Sequence, residues 1–114
     1  MQTLDAAELL SALGHESRLA IFRVLVEAGA AGMPAGAIGE KVGIAPTTLS
    51  FHLAHLSRVG LIKGRQEKRF IFYSANYPQM DELLSFLTTN CCQGGACLPK
   101  TAAGCARGCP EPQS

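Results

Sequence analysis

The sequence predicts a mainly α fold with a small β-hairpin, a winged helix-turn-helix in the order α-α-α-α-β-β-α. Apolar residues recur at helical spacing from Leu4 to Leu56 and again from Met80 to Leu87. Two of these helical stretches meet at Gly43–Ile44–Ala45–Pro46, the short glycine-initiated connection of a helix-turn-helix. After Gly60 the period changes, and β-branched and aromatic runs flank a polar turn.

Taken in order, Thr3 can cap a first helix whose Leu4, Leu9, Leu10 and Leu13 form an apolar face, with Gly14 as its stop. A second helix runs from about Glu16 to Ala28, carries Leu19, Phe22, Leu25 and Val26 at helical spacing, and stops at Gly29. Ala30–Pro34 reads as a turn, and Pro34 can open a short third helix through Ile38 and Val42 to Gly43. A fourth helix starts near Thr47, places Leu49, Leu53 and Leu56 on one face, and ends at Gly60. Leu61–Lys63 and Arg69–Tyr73 form a hairpin about the polar turn Gly64–Lys68. Asn76 can cap a fifth helix with Met80, Leu83, Leu84 and Leu87 along one side. Residues 1–90 are therefore expected to form one DNA-binding and dimerisation domain. Residues 91–114, rich in Cys, Gly, Pro and Ala, are expected to form a flexible tail carrying an effector site.

A chain of 114 residues has room for one modest core, and a domain this small commonly completes its apolar burial by dimerising. The net charge is only +1, but it is unevenly spread. Arg58, Lys63, Arg65, Lys68 and Arg69 cluster against a single Glu67, while Asp5, Glu8, Glu16, Glu27 and Glu40 stand in the N-terminal half. A local basic patch suits a polyanion. The opening MQTLDAAELL lacks a basic leader region, and no apolar run approaches the ~20 residues that span a bilayer. A cytoplasmic chain with reduced thiols and no membrane partner is expected. No nucleophilic triad, phosphate loop or dinucleotide turn points to an enzyme.

A recognition helix needs short polar side chains facing outward near its N-terminus, where base edges come close. Thr47, Thr48, Ser50 and His52 meet that need, and Thr47 or Thr48 can also cap the helix. Phe51 either touches a thymine methyl or packs inward. His15 and His55 read as surface or capping residues. In the wing, Arg65, Lys68 and Arg69 can meet the DNA backbone or minor groove, and Gln66 can do either.

The stretches ALGHESRLAIFRVL and IAPTTLSFHLAHLSRVGLIKGRQEKRFIFYS resemble the ArsR/SmtB family of metal-responsive winged-helix repressors, over about residues 7 to 88. The resemblance implies a homodimer built on the first and last helices, and repression through a pseudo-palindromic operator. It also implies release when a metal or metalloid binds. One family site uses cysteines in the helix before the recognition helix; here MPAGAIGEKVG has none. Another uses Asp and His on the last helix; here Asp81 and Glu82 have no His beside them.

What remains is the tail, with Cys91, Cys92, Cys97, Cys105 and Cys109. Thiolates select soft ions over Mg, Ca or Mn. Trivalent arsenic or antimony takes three thiolates, and Cys91, Cys92 and Cys97 form a C-C-x4-C set, with Gly94–Gly95 letting the chain fold back. Zinc, cadmium or lead remain alternatives, and a four-ligand site could add Cys105 or Cys109. Those two are otherwise auxiliary or inert. The expected function is a homodimeric repressor of double-stranded operator DNA, released by arsenite, antimonite or an organoarsenical such as methylarsenite. A thiol redox sensor on the same fold is the alternative. A metal-sequestering protein that does not bind DNA leaves the Thr/Ser/His helix and the basic wing unexplained.

Overall fold

The second helix is the hub of the domain. The structure, a computed structural model, describes residues 1–89. Its elements are α1 (Thr3–Leu13), α2 (Glu16–Ala28), β1 (Met33–Pro34), α3 (Ala35–Val42), α4 (Pro46–Arg58), β2 (Ile62–Glu67), β3 (Phe70–Ala75) and α5 (Tyr77–Leu87). This is the expected winged helix-turn-helix, with one strand more than the sequence reading gave it. Leu9, Ile21, Leu25, Ile38, Leu56 and Leu61 are wholly buried and draw α1, α2, α3, α4 and the wing base onto one core. Each such side chain contributes about 1.5–3 kcal/mol on removal from water. Leu19, expected on the core side of α2, is exposed, because the buried stripe runs through Ile21, Phe22 and Leu25 and leaves it on the flank.

The helix ends show where local chemistry differs from first reading. Gln2, not Thr3, caps α1, in a reciprocal box where the Gln2 N–H donates to Asp5 Oδ2 at 3.2 Å. His15 caps α2 by accepting from the Ser17 N–H at 3.1 Å. Pro34 is the N-cap of α3 and not its first helical residue. Pro46 opens α4, with Ala45 as an N-cap that offers no side chain, so neither Thr47 nor Thr48 caps this helix. Gly43 ends α3 in the left-handed conformation, at φ 72°.

The sheet has the order β1-β3-β2, antiparallel throughout. β1 falls in the segment read as a turn; it pairs Met33 with Tyr73 and Pro34 with Phe72. Two residues are too few to show a period, and Pro34 is tolerated because β1 is an edge strand. Gly32 makes the approach possible: at φ +77°, a Cβ there would lie 2.5 Å from the Tyr73 carbonyl oxygen.

β2 extends through Glu67, across residues expected in the turn, and the last pair is Glu67 with Phe70. The turn itself is Lys68–Arg69, with Lys68 at φ 58°. β2 beyond Ile62 is solvated on both faces, so its sequence carries no apolar alternation to mark it as a strand.

Both ends of the wing are anchored. The Leu61 N–H donates to the Leu56 carbonyl at 3.0 Å, and the Asn76 N–H donates to the Leu61 carbonyl at 2.8 Å. The Tyr77 hydroxyl donates to the Val26 carbonyl at 2.8 Å and ties α5 to α2. On α1 and α5, Leu4, Leu10 and Leu87 remain exposed.

Candidate nucleic-acid interface

Helix α4 divides by its own periodicity. Leu49, His52, Leu53 and Leu56 recur three and four apart and are all buried. That stripe leaves Thr47, Thr48, Ser50 and Phe51 on the outside, and all four are exposed, Phe51 by 70%. Of the two readings of Phe51, the exposed one is the structure's. Pro46 at the first helical position and a cap without a side chain leave the first amide groups of α4 without a side-chain acceptor. An anion such as a phosphate is the natural partner of such an end.

His52 is the correction. Expected to face DNA, it is only 6% exposed. Its imidazole lies 4.8 Å from that of His15, tilted by 51°, and its Nδ1 is 3.5 Å from an Arg18 guanidinium nitrogen. Burial is the first cause that pushes its pKa below the ordinary histidine value, and the charges of His15, Arg18 and His55 push it the same way. An arginine can only donate, so the contact suits a neutral ring with its lone pair on Nδ1. The spacing to Leu49, Leu53 and Leu56 placed His52 inward all along; its polarity argued the other way. His15 is a cap, as one of its two readings had it, and His55 is half-buried, with its pKa lowered by burial, then by Arg18 and Arg58.

The wing sorts its charges. Arg65 Nε donates to Glu67 Oε2 at 2.8 Å, its Nη2 donates to the Ala31 carbonyl at 3.1 Å, and its guanidinium lies 5.6 Å from the Phe72 ring centre. It is held within the wing as a brace between β2, the β1 loop and β3. The Gln66 side-chain amide donates to the Lys68 carbonyl at 3.0 Å and closes the turn. Lys68 and Arg69 stand at the tip and make no ion pair among the described residues. Lys63, nearer the base of β2, is likewise exposed and makes no ion pair among the described residues.

Cys91, Cys92, Cys97, Cys105 and Cys109 lie outside the described residues. Among the described residues, no group of three or more His, Cys, Asp or Glu side chains is arranged to hold a metal. No helix among them is long and apolar enough to cross a membrane.

Comparison with known proteins agrees with this geometry. Residues 13–65 match the model of a helix-turn-helix domain family. An HTH-type transcriptional regulator of Bacillus subtilis, YceK, is 40% identical over 68 residues, covering 60% of this chain and 67% of its own. The transcriptional activator HlyU of Vibrio cholerae is 30% identical over 88 residues, covering 77% of this chain and 79% of its own. The structure of reduced HlyU superposes with a TM-score of 0.63 at 28% identity, covering 80% of this chain and 93% of that one. The transcriptional repressor BigR of Xylella fastidiosa gives 0.58 at 32% identity, over 75% and 85% of the two chains. An exposed polar face on α4, a basic-tipped wing and these relatives converge: the chain belongs to the family of winged helix-turn-helix transcriptional regulators.

Proposed function

We propose that this protein is a homodimeric repressor that reads a pseudo-palindromic operator through α4 and is released by thiol chemistry in its C-terminal segment. The observation that carries the DNA reading is the exposed Thr47, Thr48, Ser50 and Phe51 surface at the open end of α4, with Lys68 and Arg69 at the wing tip. The helix supplies base contacts; the wing supplies affinity and salt dependence. Exposed Leu4, Leu10 and Leu87 on α1 and α5 supply the apolar surface a second copy would cover. Two-fold pairing sets recognition helices about one DNA turn (~34 Å) apart.

The effector is trivalent arsenic, as arsenite, antimonite or methylarsenite, bound by Cys91, Cys92 and Cys97, with Cys105 and Cys109 as auxiliary thiols. Support comes from the donor set: five thiols within the last quarter of the chain favour soft ions, cadmium, zinc and lead being the alternatives. These thiols follow directly on α5, so gathering them onto one ion would restrain that helix end and change how two subunits sit together. A coupling of about 1–3 kcal/mol is enough to lower operator occupancy substantially.

The test is a titration of a duplex that the protein selects from a random-sequence pool. Arsenite is expected to release the parent, whereas Cys91→Ser and Cys92→Ser are expected to stay bound. Release of both variants by arsenite would place the effector elsewhere. Phe51→Ala is expected to weaken duplex binding without changing the unfolding midpoint. A second reading, a thiol redox sensor, is favoured by the relative whose solved form is described as reduced. It predicts release by peroxide with no metalloid, reversed by a dithiol.

A further inference from the structure

Three helices meet at one side-chain node that makes no part of the DNA-facing surface. Arg18, on the first turn of α2, donates from Nε to the Ala12 carbonyl at 2.7 Å, in the last turn of α1. The same guanidinium reaches His52 on α4 at 3.5 Å. His15, which caps α2, lies beside the His52 ring, with ring centres 4.8 Å apart. The seating of α4 against α1 and α2 thus passes through Arg18 and His52. Thr47, Thr48, Ser50 and Phe51 ride on the turn of α4 that precedes His52.

We propose that His52 is a positioning residue for the recognition helix, and that protonating it in mild acid unseats that helix and releases DNA. The proposal rests on the DNA-binding reading above. Neutral His52 offers Arg18 a lone pair. Once protonated, it faces Arg18 donor to donor and charge to charge, with little of the ring itself left to water. The end of α2 that His15 caps adds the positive end of a helix dipole.

The charges that act on the ring are His15 and Arg18 from α2 and His55 from α4 itself, all positive or able to become so. The other elements against α4 carry Glu40 and Lys41 on α3 and Lys63, Arg65 and Glu67 on β2; none of these hydrogen-bonds or ion-pairs with His52. Glu16 follows His15 on α2 and makes no hydrogen bond or ion pair with His52. On α1, Glu8 lines a hollow with Ser11, His55, Arg58 and Val59, one turn away from the node. Among the described residues no carboxylate pairs with His52.

The sign makes the idea testable. Acid ordinarily strengthens DNA binding, because each protonated histidine adds positive charge near phosphates. Here the affinity should fall.

The experiment measures affinity by fluorescence anisotropy for a duplex selected by the parent from a random pool at neutral pH. Parent, His52→Gln and His15→Asn are compared between about pH 7.5 and 5.5, with circular dichroism at each pH. The parent is expected to lose about tenfold in affinity over that range while still folded. His52→Gln, normalised to its own neutral value, is expected to stay flat or tighten. His15→Asn keeps the α2 cap and removes a ring whose charge disfavours a protonated His52, so its release should move toward neutral pH. A parent profile that matches His52→Gln overturns the proposal and leaves DNA binding standing. If His52→Gln does not fold, an unmoved midpoint in His15→Asn overturns it equally. A chain that selects no duplex overturns the DNA-binding reading and this proposal with it.

Discussion

The Asn76 side-chain amide donates to the Gly60 carbonyl at 2.9 Å, joining the residue just after β3 to the turn that leads into β2. The same side chain accepts from the Gln79 N–H at 3.3 Å and so caps α5. One residue therefore closes the base of the wing and starts the last helix. Asn76→Ala removes both and is expected to cost about 1–3 kcal/mol in urea unfolding. Asn76→Asp keeps the cap and loses the donor to Gly60, so it should fall between the two.

Gly32 and Gly36 stand four residues apart and are expected to respond in opposite directions to the same change. At Gly32 an added Cβ would meet the Tyr73 carbonyl at 2.5 Å, with the backbone at φ +77°. Backbone cannot retreat without breaking the β1–β3 pairing, so Gly32→Ala is expected to destabilise by about 1–3 kcal/mol. At Gly36, in the first turn of α3, a Cβ meets nothing within 4 Å. Gly36→Ala should stabilise by about 0.4–1 kcal/mol, because it restricts the unfolded chain and suits a helix. Thermal unfolding of the two variants checks both signs.

At the wing tip, stability and binding are set against each other. Lys68 holds φ 58°, a conformation that costs a side-chain-bearing residue about 1–2 kcal/mol and glycine little. Lys68→Gly should therefore hold or raise the unfolding midpoint. It also removes a cation from the tip, where Lys68 and Arg69 are free of ion pairs among the described residues. Duplex affinity should fall for all sequences alike, and the slope of log affinity against log salt should shrink by about 1. Arg65→Ala differs: it strips the contacts to Glu67, Ala31 and Phe72, so it should loosen the wing as well as weaken binding.

Much of this was legible from apolar spacing alone. The five helices and the hairpin follow from it, because long periodic segments with Gly or Pro at their ends leave little freedom. β1 was not, since its two residues pair only through a contact with Tyr73 and Phe72 some forty positions away. The true length of β2 was hidden because a strand wet on both faces has no reason to alternate. At the site, Thr47, Thr48 and Ser50 could be placed from polarity, but His52 could not. Its position between Leu49 and Leu56 outweighed its polarity, because Arg18 and His15 gave the ring partners inside. Arg65 reads as a DNA contact from its charge, but its bonds to Glu67 and the Ala31 carbonyl, which also hold the wing together, were not visible. Those partners are remote or local details that a basic run cannot reveal.

The same burial gives the fold its own pH dependence. His52 has a folded pKa below its unfolded value of about 6.5, through burial first and then through His15, Arg18 and His55. His55 is lowered too, by burial, Arg18 and Arg58. In the window below about pH 6.5 the unfolded chain therefore binds more protons than the folded one, and stability falls as the pH falls. Above that window their contribution is fully present and constant. The urea midpoint of the parent should accordingly be flat from about pH 8 to 7 and decline toward about pH 5.5, before carboxylates begin to titrate. His52→Gln should show a shallower decline, with His55 alone remaining, and the double variant with His55→Gln should be shallower still. A parent whose stability rises on acidification through this range would mean that these histidines are better accommodated charged than neutral, contrary to the seat that Arg18 and His15 build around His52.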